Sequence, residues 1–176
     1  TQSIQIIYLE FKLLRMHTKD IGIIFLGKTI SKNILILSIK FPMSKRKEIL
    51  IIGNGRSVLE YSFGKQINTI SIVGRINNFT IRNYSEYIGQ RTDIWFNGAN
   101  QNLKRQKVIP NEVVVFIPPG ILRRKKEKIH DRISRRLHID KEKYFLIPLE
   151  TMENYEILTG VKRPTTGTSC ILWAVE

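Results

Sequence analysis

Short runs of apolar, mostly β-branched residues recur along the chain, and each run ends at glycine, proline or a polar residue. Continuous apolar runs of this length are typical of parallel strands that are covered on both faces. The runs that predict strands are residues 49–52, 70–73, 93–98, 113–117 and 144–147. Because helical segments separate them, we predict an α/β fold with a mostly parallel sheet.

The spacing of apolar residues between these runs predicts helices. Charged residues fill the face opposite four apolar positions, which are Leu122, Ile129, Ile133 and Leu137. This spacing predicts a helix over residues 121–138. Further helices are predicted over 150–158 and 169–176, and a short one is predicted to begin at Ser57.

The segment before residue 43 is rich in isoleucine and leucine but has no clean period. Three lysines interrupt residues 21–41, so the apolar run of about 20 residues that a transmembrane helix requires is not reached. Met43 is followed by the polar, basic residues Ser44-Lys45-Arg46-Lys47, which directly precede the first predicted strand. We therefore predict that residues 1–42 are either sequence upstream of a natural start at Met43 or an extension of doubtful structure, and that residues 43–176 form one domain.

The balance of charged residues limits the class of partner. The chain has 29 Lys and Arg against 15 Asp and Glu, a formal charge of +14. This excess favours nucleic acid, an anionic membrane surface, or a phosphorylated or carboxylated substrate, and charge alone does not choose among them. Because Cys170 is the single cysteine, no internal disulfide can form, and we expect a cytoplasmic protein. A peripheral position at the inner membrane surface is an option that the positive charge leaves open.

A Gly53-Asn54-Gly55 turn directly follows the first predicted strand. Glycines there allow a sharp turn and close approach of a ligand, and an amide can both donate to and accept from a base or sugar. As a dinucleotide fingerprint the turn is incomplete, because Val58 occupies the third glycine position and Arg75 stands where an acidic ribose-binding residue is expected. A plain tight turn is the alternative, and both remain open.

Two further groups are predicted to face the same crevice. Ser57 begins the helix whose free N–H groups suit an anion. Asn77 and Asn78 end the next strand, and the carboxyl ends of parallel strands lie at one edge of a sheet.

The loop at residues 164–168 is a second candidate site. Thr165, Thr166 and Gly167 offer hydroxyls and bare backbone N–H groups ahead of the last predicted helix, which suits a phosphate or carboxylate. Threonine also serves as a helix N-cap, and taken alone this simpler interpretation is favoured.

The basic helix offers a third candidate, a nucleic-acid patch over residues 123–136. Glu127 and Asp131 interrupt the basic run, and it has no aromatic residues for base stacking. A solvated helix face is therefore favoured, with weak contact to an anionic membrane surface as the minor alternative. No metal site is predicted, because His130 and His138 lie eight residues apart and no Asp-x-Asp pair is present.

In their order along the chain, the motifs resemble glycosyltransferase family 29, the sialyltransferases. Ile-Ile-Gly-Asn-Gly-Arg-Ser at 51–57, Gly-Lys-Gln-Ile at 64–67 and Val-Gly-Arg-Ile-Asn at 73–77 resemble the family's large sialyl motif. Residues 87–95 are similar to its continuation, and Pro-Thr-Thr-Gly at 164–167 resembles the Pro-Ser-Thr-Gly of the small sialyl motif.

The resemblance implies a variant single-Rossmann glycosyltransferase fold of the A type that binds a CMP-activated sugar, usually CMP-sialic acid, without a metal or other cofactor. It implies that the donor nucleotide contacts residues of both motifs. These are Gly53, Asn54, Gly55, Ser57, Arg75, Asn77, Thr165, Thr166 and Gly167. The acceptor would be a glycan or a glycolipid.

Some features depart from the family pattern. The catalytic histidine expected downstream of the small motif is absent before Glu176, and the disulfide that joins the motifs in animal members cannot form. Gly55-Arg56 is bulkier than the usual small pair. We expect a bacterial or viral member that is truncated at its C-terminus, binds donor and turns over poorly.

Two other functions remain open at this point. One is a Rossmann-type oxidoreductase in which Arg75 accepts the extra phosphate of NADP, against which the missing third glycine argues. The other is a nucleic-acid-binding module that acts through the basic helix.

Overall fold

A computed structural model describes residues 34–37 and 49–176 of the chain. The strands are β1 Ile34–Leu37, β2 Ile49–Ile52, β3 Ile72–Ile76, β4 Ile94–Asn97, β5 Glu112–Val115 and β6 Phe145–Leu146. The α-helices are α1 Gly64–Ile67, α2 Ser85–Ile88, α3 Pro119–Lys125, α4 Ile129–Leu137, α5 Leu149–Thr159 and α6 Thr166–Val175. Short 3-10 turns are formed by Arg56–Leu59, Lys126–Lys128 and Lys141–Lys143.

The strands form one sheet in the order β1-β2-β3-β4-β5-β6. Strands β2 to β6 are parallel, and β1 pairs with β2 in the antiparallel sense. The predicted α/β class and mostly parallel sheet are confirmed. Neighbouring strands in the sheet are also neighbours in the sequence, so the strand order does not reverse between β2 and β6. In many open α/β sheets such a reversal creates the ligand crevice. Here a crevice has to be formed by other elements.

Strand β2 is buried on both faces, as its apolar run predicts. Ile49 and Ile51 belong to the larger core, which extends over β4, β5 and the helices from α3 onward. Leu50 and Ile52 belong to a smaller core with residues of α1 and α2. Successive side chains of a strand point to opposite faces, so each face needs its own apolar cover.

Helix α6 packs against the sheet through an aromatic contact. The ring of Trp173 lies edge-on to the ring of Phe96 in β4, with centroids 5.4 Å apart. Cys170, which follows the first turn of α6, is fully buried in the larger core. Helix α6 therefore packs on β4, a strand of the larger core.

The helix predicted over residues 121–138 is interrupted. The backbone of Lys126 adopts φ 46° and ψ −129°, outside the helical region, and this residue separates α3 from α4. The apolar positions from which the helix was predicted are nevertheless buried, since Leu122 lies in α3 and Ile129, Ile133 and Leu137 lie in α4. Apolar spacing identified the buried face but carried no signal for the break.

Strand β1 lies inside residues 1–42, the segment predicted to be an extension. Residues 34–37 pair with β2 over its whole length, with Ile34 opposite Ile52. The division of the chain at residue 42 stays a prediction, but this strand is part of the sheet. Among the described residues, no helix has the length and apolar character needed to cross a membrane.

Candidate functional site

A cleft of about 290 Å³ lies where β3, β4 and β5 end and α6 begins. The lining residues are Asn77, Gly98, Asn100, Phe116, Pro118, Met152, Arg163, Pro164, Thr165 and Thr166. The two motifs that were predicted to meet, one ending at Asn77 and one containing Thr165 and Thr166, therefore share one cavity. Open α/β sheets bind ligands at this edge, outside the carboxyl ends of the strands.

Asn77 is fixed by three hydrogen bonds at the end of β3. Its backbone N–H donates to the Phe96 carbonyl (2.7 Å), and its own carbonyl accepts from the indole N–H of Trp95 (2.9 Å). Its side-chain Oδ1 accepts from the Gly98 N–H (3.1 Å). Its backbone is left-handed (φ 48°), a conformation that asparagine tolerates better than most residues. Within residues 49–176 no hydrogen bond uses its amide nitrogen, which remains a donor for a ligand.

Asn54 lies next to this cleft without lining it. Its side-chain Nδ2 donates to the carbonyl of Ile76 at 2.8 Å, directly before Asn77 in the chain. The side chain of Asn54 is exposed, and its oxygen is an acceptor that this bond leaves free. The turn after β2 is thereby joined to the end of β3.

The first turn of α6 closes one side of the cleft. Thr165 is the N-cap, and its Oγ1 accepts from the Thr168 N–H at 3.1 Å, as the simpler interpretation of this loop predicted. Thr166 packs closely on Gly98: a Cβ added to Gly98 would lie 2.9 Å from the Oγ1 of Thr166. The N-terminus of α6 also brings unpaired backbone N–H groups to the cleft. Capping and ligand binding are therefore compatible here.

Arg75 lies inside the fold and is not among the residues that line the cleft. Its side chain is 1% exposed. The guanidinium donates to the carbonyls of Ile88, Gly89 and Arg91 and to the hydroxyl of Thr92, at 2.7 to 3.2 Å. Burial lowers the pKa of Arg75 to about 10, which leaves it charged near neutral pH. Nε and Nη2 make these bonds, whereas Nη1 is buried and has no hydrogen-bond partner among the described residues. The contact of Arg75 with a donor phosphate, or with the 2′-phosphate of NADP, stays a prediction.

The turn after β2 also differs from the prediction. Gly55 has φ −73°, and a Cβ on Gly53 would meet nothing within 4 Å, so the fold requires glycine at neither position for its backbone conformation. The helix predicted to begin at Ser57 is a single 3-10 turn over Arg56–Leu59, too short to bring an aligned helix dipole to an anion. The Ser57 hydroxyl is buried and has no hydrogen-bond partner among the described residues.

Gly167 lies in the first turn of α6, where a Cβ would approach the Ile76 side chain at 3.8 Å. That is an ordinary contact distance, so local packing alone does not require glycine. The proximity to Ile76 shows that Gly167 of the small motif lies beside the end of β3. Its contact with the donor stays a prediction.

Sequence reasoning missed several cleft residues, chiefly Gly98, Asn100 and Arg163. The first two belong to the Asn-Gly-Ala-Asn turn after β4, which had the same signal as the turn after β2: a buried strand that ends in amides and glycine. Arg163 directly precedes the small motif. No spacing rule would have separated it from the neighbouring exposed cation, Lys162.

Residues 123–128 of the basic run, together with His130 and His138, are not among the residues that line the cleft, and His17 lies outside the described residues. Residues 123–128 are exposed, as a solvated helix face requires. The Nδ1 of His130 is 2.7 Å from the Tyr144 hydroxyl, and His138 is the exposed residue that ends α4. The part of the chain that the structure describes holds no cluster of three or more potential metal ligands; metal-independent chemistry itself stays a prediction.

Comparison with known proteins identifies a family. The model of glycosyltransferase family 29 (sialyltransferase) matches residues 26–120, slightly more than half of the chain. The chain belongs to glycosyltransferase family 29. The suspected resemblance is confirmed, and the chain is a sialyltransferase-like glycosyltransferase, of a family that in general uses a nucleotide-sugar donor and a glycan acceptor.

The matched range also bears on individual motifs. It contains Asn54, Asn77 and the turn after β4, and it begins inside the segment that was predicted to precede the domain. Residues 163–167 lie beyond it, so this half of the cleft rests on the structure alone. No curated protein and no solved structure matches the chain.

Proposed function

We propose that this glycosyltransferase binds a CMP-activated sugar, most simply CMP-sialic acid, in the cleft between Asn77 and α6, and transfers it to a glycan or glycolipid acceptor. The observation that carries the proposal is the meeting of Asn77 with Thr165 and Thr166 in one cavity of about 290 Å³. The residues come from two motifs more than 80 positions apart in the sequence, and packing of α6 on β4 brings them together.

The polar groups of the cleft suit a nucleotide. Amides such as those of Asn77 and Asn100 recognise both donors and acceptors on a base or ribose. Unpaired N–H groups at the start of α6 suit the phosphate or the donor carboxylate. In this proposal Asn77, Thr165 and Thr166 contact the donor nucleotide directly, and Asn54 lies at the rim of the same site.

The site in this proposal is smaller than the nine residues predicted from sequence. We propose a structural role for Arg75, because its Nη2 donates to the carbonyls of Ile88, Gly89 and Arg91. This also weakens the oxidoreductase alternative, which relied on Arg75 for the extra phosphate of NADP. Donor contacts by Gly53, Gly55, Ser57 and Gly167 remain predictions. Transfer without a metal belongs to the proposal as well.

Thermal unfolding with candidate ligands tests the proposal. A ligand at 100 times its Kd stabilises the native state by about 2.7 kcal/mol. For a domain of this size we expect the Tm to rise by roughly 5–10 °C with CMP, and by less than about 2 °C with NADP at the same concentration. A response to NADP in place of CMP would identify the oxidoreductase alternative. Salt-sensitive binding to RNA or DNA with no response to CMP would identify the nucleic-acid-binding alternative.

Asn77→Asp provides a sharper test of the site. Aspartate keeps the oxygen that accepts from Gly98 and tolerates the left-handed backbone, but it adds a negative charge next to an anionic ligand. We expect the affinity for CMP to fall at least about tenfold, while the Tm without ligand changes by less than about 2 °C. Calorimetric titration and thermal unfolding measure the two effects. An unchanged affinity would remove Asn77 from the donor site.

A further inference from the structure

Arg163 is the one charged residue among those that line the cleft in the described part of the chain. We propose that its guanidinium binds the phosphate of the CMP-activated donor and takes the role that sequence reasoning gave to Arg75. This inference rests on the proposed function, since it names the group that recognises the donor's charge. It concerns a residue outside the range matched by the family model.

The backbone of Arg163 is held in a fixed position at the rim. Its N–H donates to Oε1 of Glu156 in α5 at 2.9 Å, and its φ of 62° is in the left-handed region that few residues other than glycine adopt. Pro164, which follows, restricts the chain further. The side chain therefore starts from a defined point between the end of α5 and the N-cap of α6.

The charge of Arg163 is available to a ligand. The two ion pairs within residues 49–176 join Arg91 to Asp93 and Arg123 to Glu153, and neither involves Arg163. The Glu156 carboxylate contacts Arg163 through its backbone, since Oε1 accepts from the Arg163 N–H. The other polar groups that line the cleft are amides and hydroxyls, which supply hydrogen bonds but no net charge.

A guanidinium is well suited to this position. It presents parallel N–H donors that match two phosphate oxygens, and hydrogen bonds between charged groups are about twice as strong as neutral ones. The N-terminus of α6, which begins at Thr166 with Thr165 as its N-cap, carries partial positive charge and also borders the cleft. Together they would hold a phosphate between a full charge and a helix dipole, with Asn77 left to recognise the nucleoside.

The test compares Arg163→Gln with Lys162→Gln in the full chain. Each variant removes one positive charge, and the two residues are exposed and adjacent in the chain. Arg163 lines the cleft and Lys162 does not. By calorimetric titration we expect Arg163→Gln to weaken CMP binding roughly 10- to 100-fold. We expect Lys162→Gln to change it by less than about twofold. Cytidine, which lacks the phosphate, should bind the wild type and both variants with similar affinity.

Two further variants guard against a purely structural effect. Arg163→Lys keeps the charge without the planar fork, so it should lose less affinity for CMP than Arg163→Gln. Arg163→Asn tolerates the left-handed backbone and should fold like the wild type while binding CMP as weakly as Arg163→Gln. An equal loss for the lysine and glutamine variants would overturn the proposal, because charge would then have no part in the effect.

The remaining outcomes separate this inference from the proposed function. A wild-type chain that binds neither CMP nor cytidine would overturn the proposed function, and the inference with it. A wild type that binds CMP, together with an Arg163→Gln variant of unchanged affinity, would overturn the inference alone. An equal loss of CMP and cytidine binding in Arg163→Gln would also overturn it, since the effect would not depend on the phosphate.

Discussion

At the scale of single residues, the cleft depends on side chains whose backbone conformation is unusual. Asn77 and Arg163 both have positive φ, at 48° and 62°. Asparagine often adopts this region, so its sequence neighbourhood gave a correct indication of a turn at the strand end. Arginine rarely does, and the bond from its backbone N–H to Glu156 of α5 holds it at the rim.

Cys170 illustrates a residue whose environment determines its chemistry. Its thiol is fully buried, and the S–H donates to the Gly167 carbonyl at 3.1 Å. Burial raises the pKa of Cys170 to about 12, so the reactive thiolate is almost absent near neutral pH.

We expect Cys170 to react with a disulfide reagent at pH 8 at least about 100-fold more slowly in the native protein than in urea. The rate of thiol release, followed by absorbance, measures this. The rate should rise with pH in the native state, because a larger fraction of the thiol ionises as the pH approaches the raised pKa. A native rate equal to that in urea would show that α6 does not bury the thiol.

At the scale of elements, Arg75 connects strand β3 to the segment that leads from α2 into β4. Its guanidinium supplies donors to carbonyls at the end of α2 and after it, which would otherwise be buried without partners. The nearby Asp93 side chain accepts from the Val73 N–H at 2.8 Å and adds a second link between β3 and the start of β4. A cation inside the fold is unusual, and the acceptors of Nε and Nη2 offset part of the cost of its burial, while Nη1 has no partner among the described residues.

Arg75→Gln should destabilise the protein by roughly 2–4 kcal/mol, because one neutral amide cannot satisfy the acceptors that the guanidinium satisfies. Urea unfolding gives the free energy. Arg82→Gln, at an exposed position between β3 and α2, is the matched control and should change stability by less than about 0.5 kcal/mol. If Arg75→Gln left stability unchanged but abolished CMP binding, the original assignment of Arg75 to the donor would be right.

At the scale of the whole molecule, the formal charge of +14 creates a field that any anionic partner meets before it reaches the cleft. The exposed basic run over residues 123–128 contributes to that field outside the cleft. We propose that this charge holds the enzyme at an anionic membrane surface on the cytoplasmic side, where a glycolipid acceptor would be presented.

Flotation with lipid vesicles tests this proposal. We expect the protein to bind vesicles that contain about 30% anionic lipid, to ignore neutral vesicles, and to dissociate at about 0.5 M salt. Charge reversal of Lys125 and Lys126 should weaken binding more than reversal of Lys65 and Lys104, which changes the net charge equally. Equal binding to neutral and anionic vesicles would contradict an electrostatic attachment.

Much of the fold could be predicted from the sequence. Apolar runs located β2, β4 and β5, and the small-motif loop correctly preceded α6, because burial on both faces leaves a local signature in residue type. Turn glycines and amides marked the strand ends. The motifs also indicated the family that the comparison then confirmed.

The tertiary structure decided which of those residues belong to the cleft. Arg75 lies in β3 and Asn77 directly follows that strand, yet the first is buried beneath the segment that leads into β4 and the second lines the cavity. Residue type and spacing do not distinguish these environments, because burial depends on the elements packed above each side chain. The sequence by itself determined the strands, the motifs and the family. Packing of α6 against β4 decided where the two motifs meet, and the bond to Glu156 of α5 fixed the position of Arg163, since contacts between distant residues form only when the chain has folded.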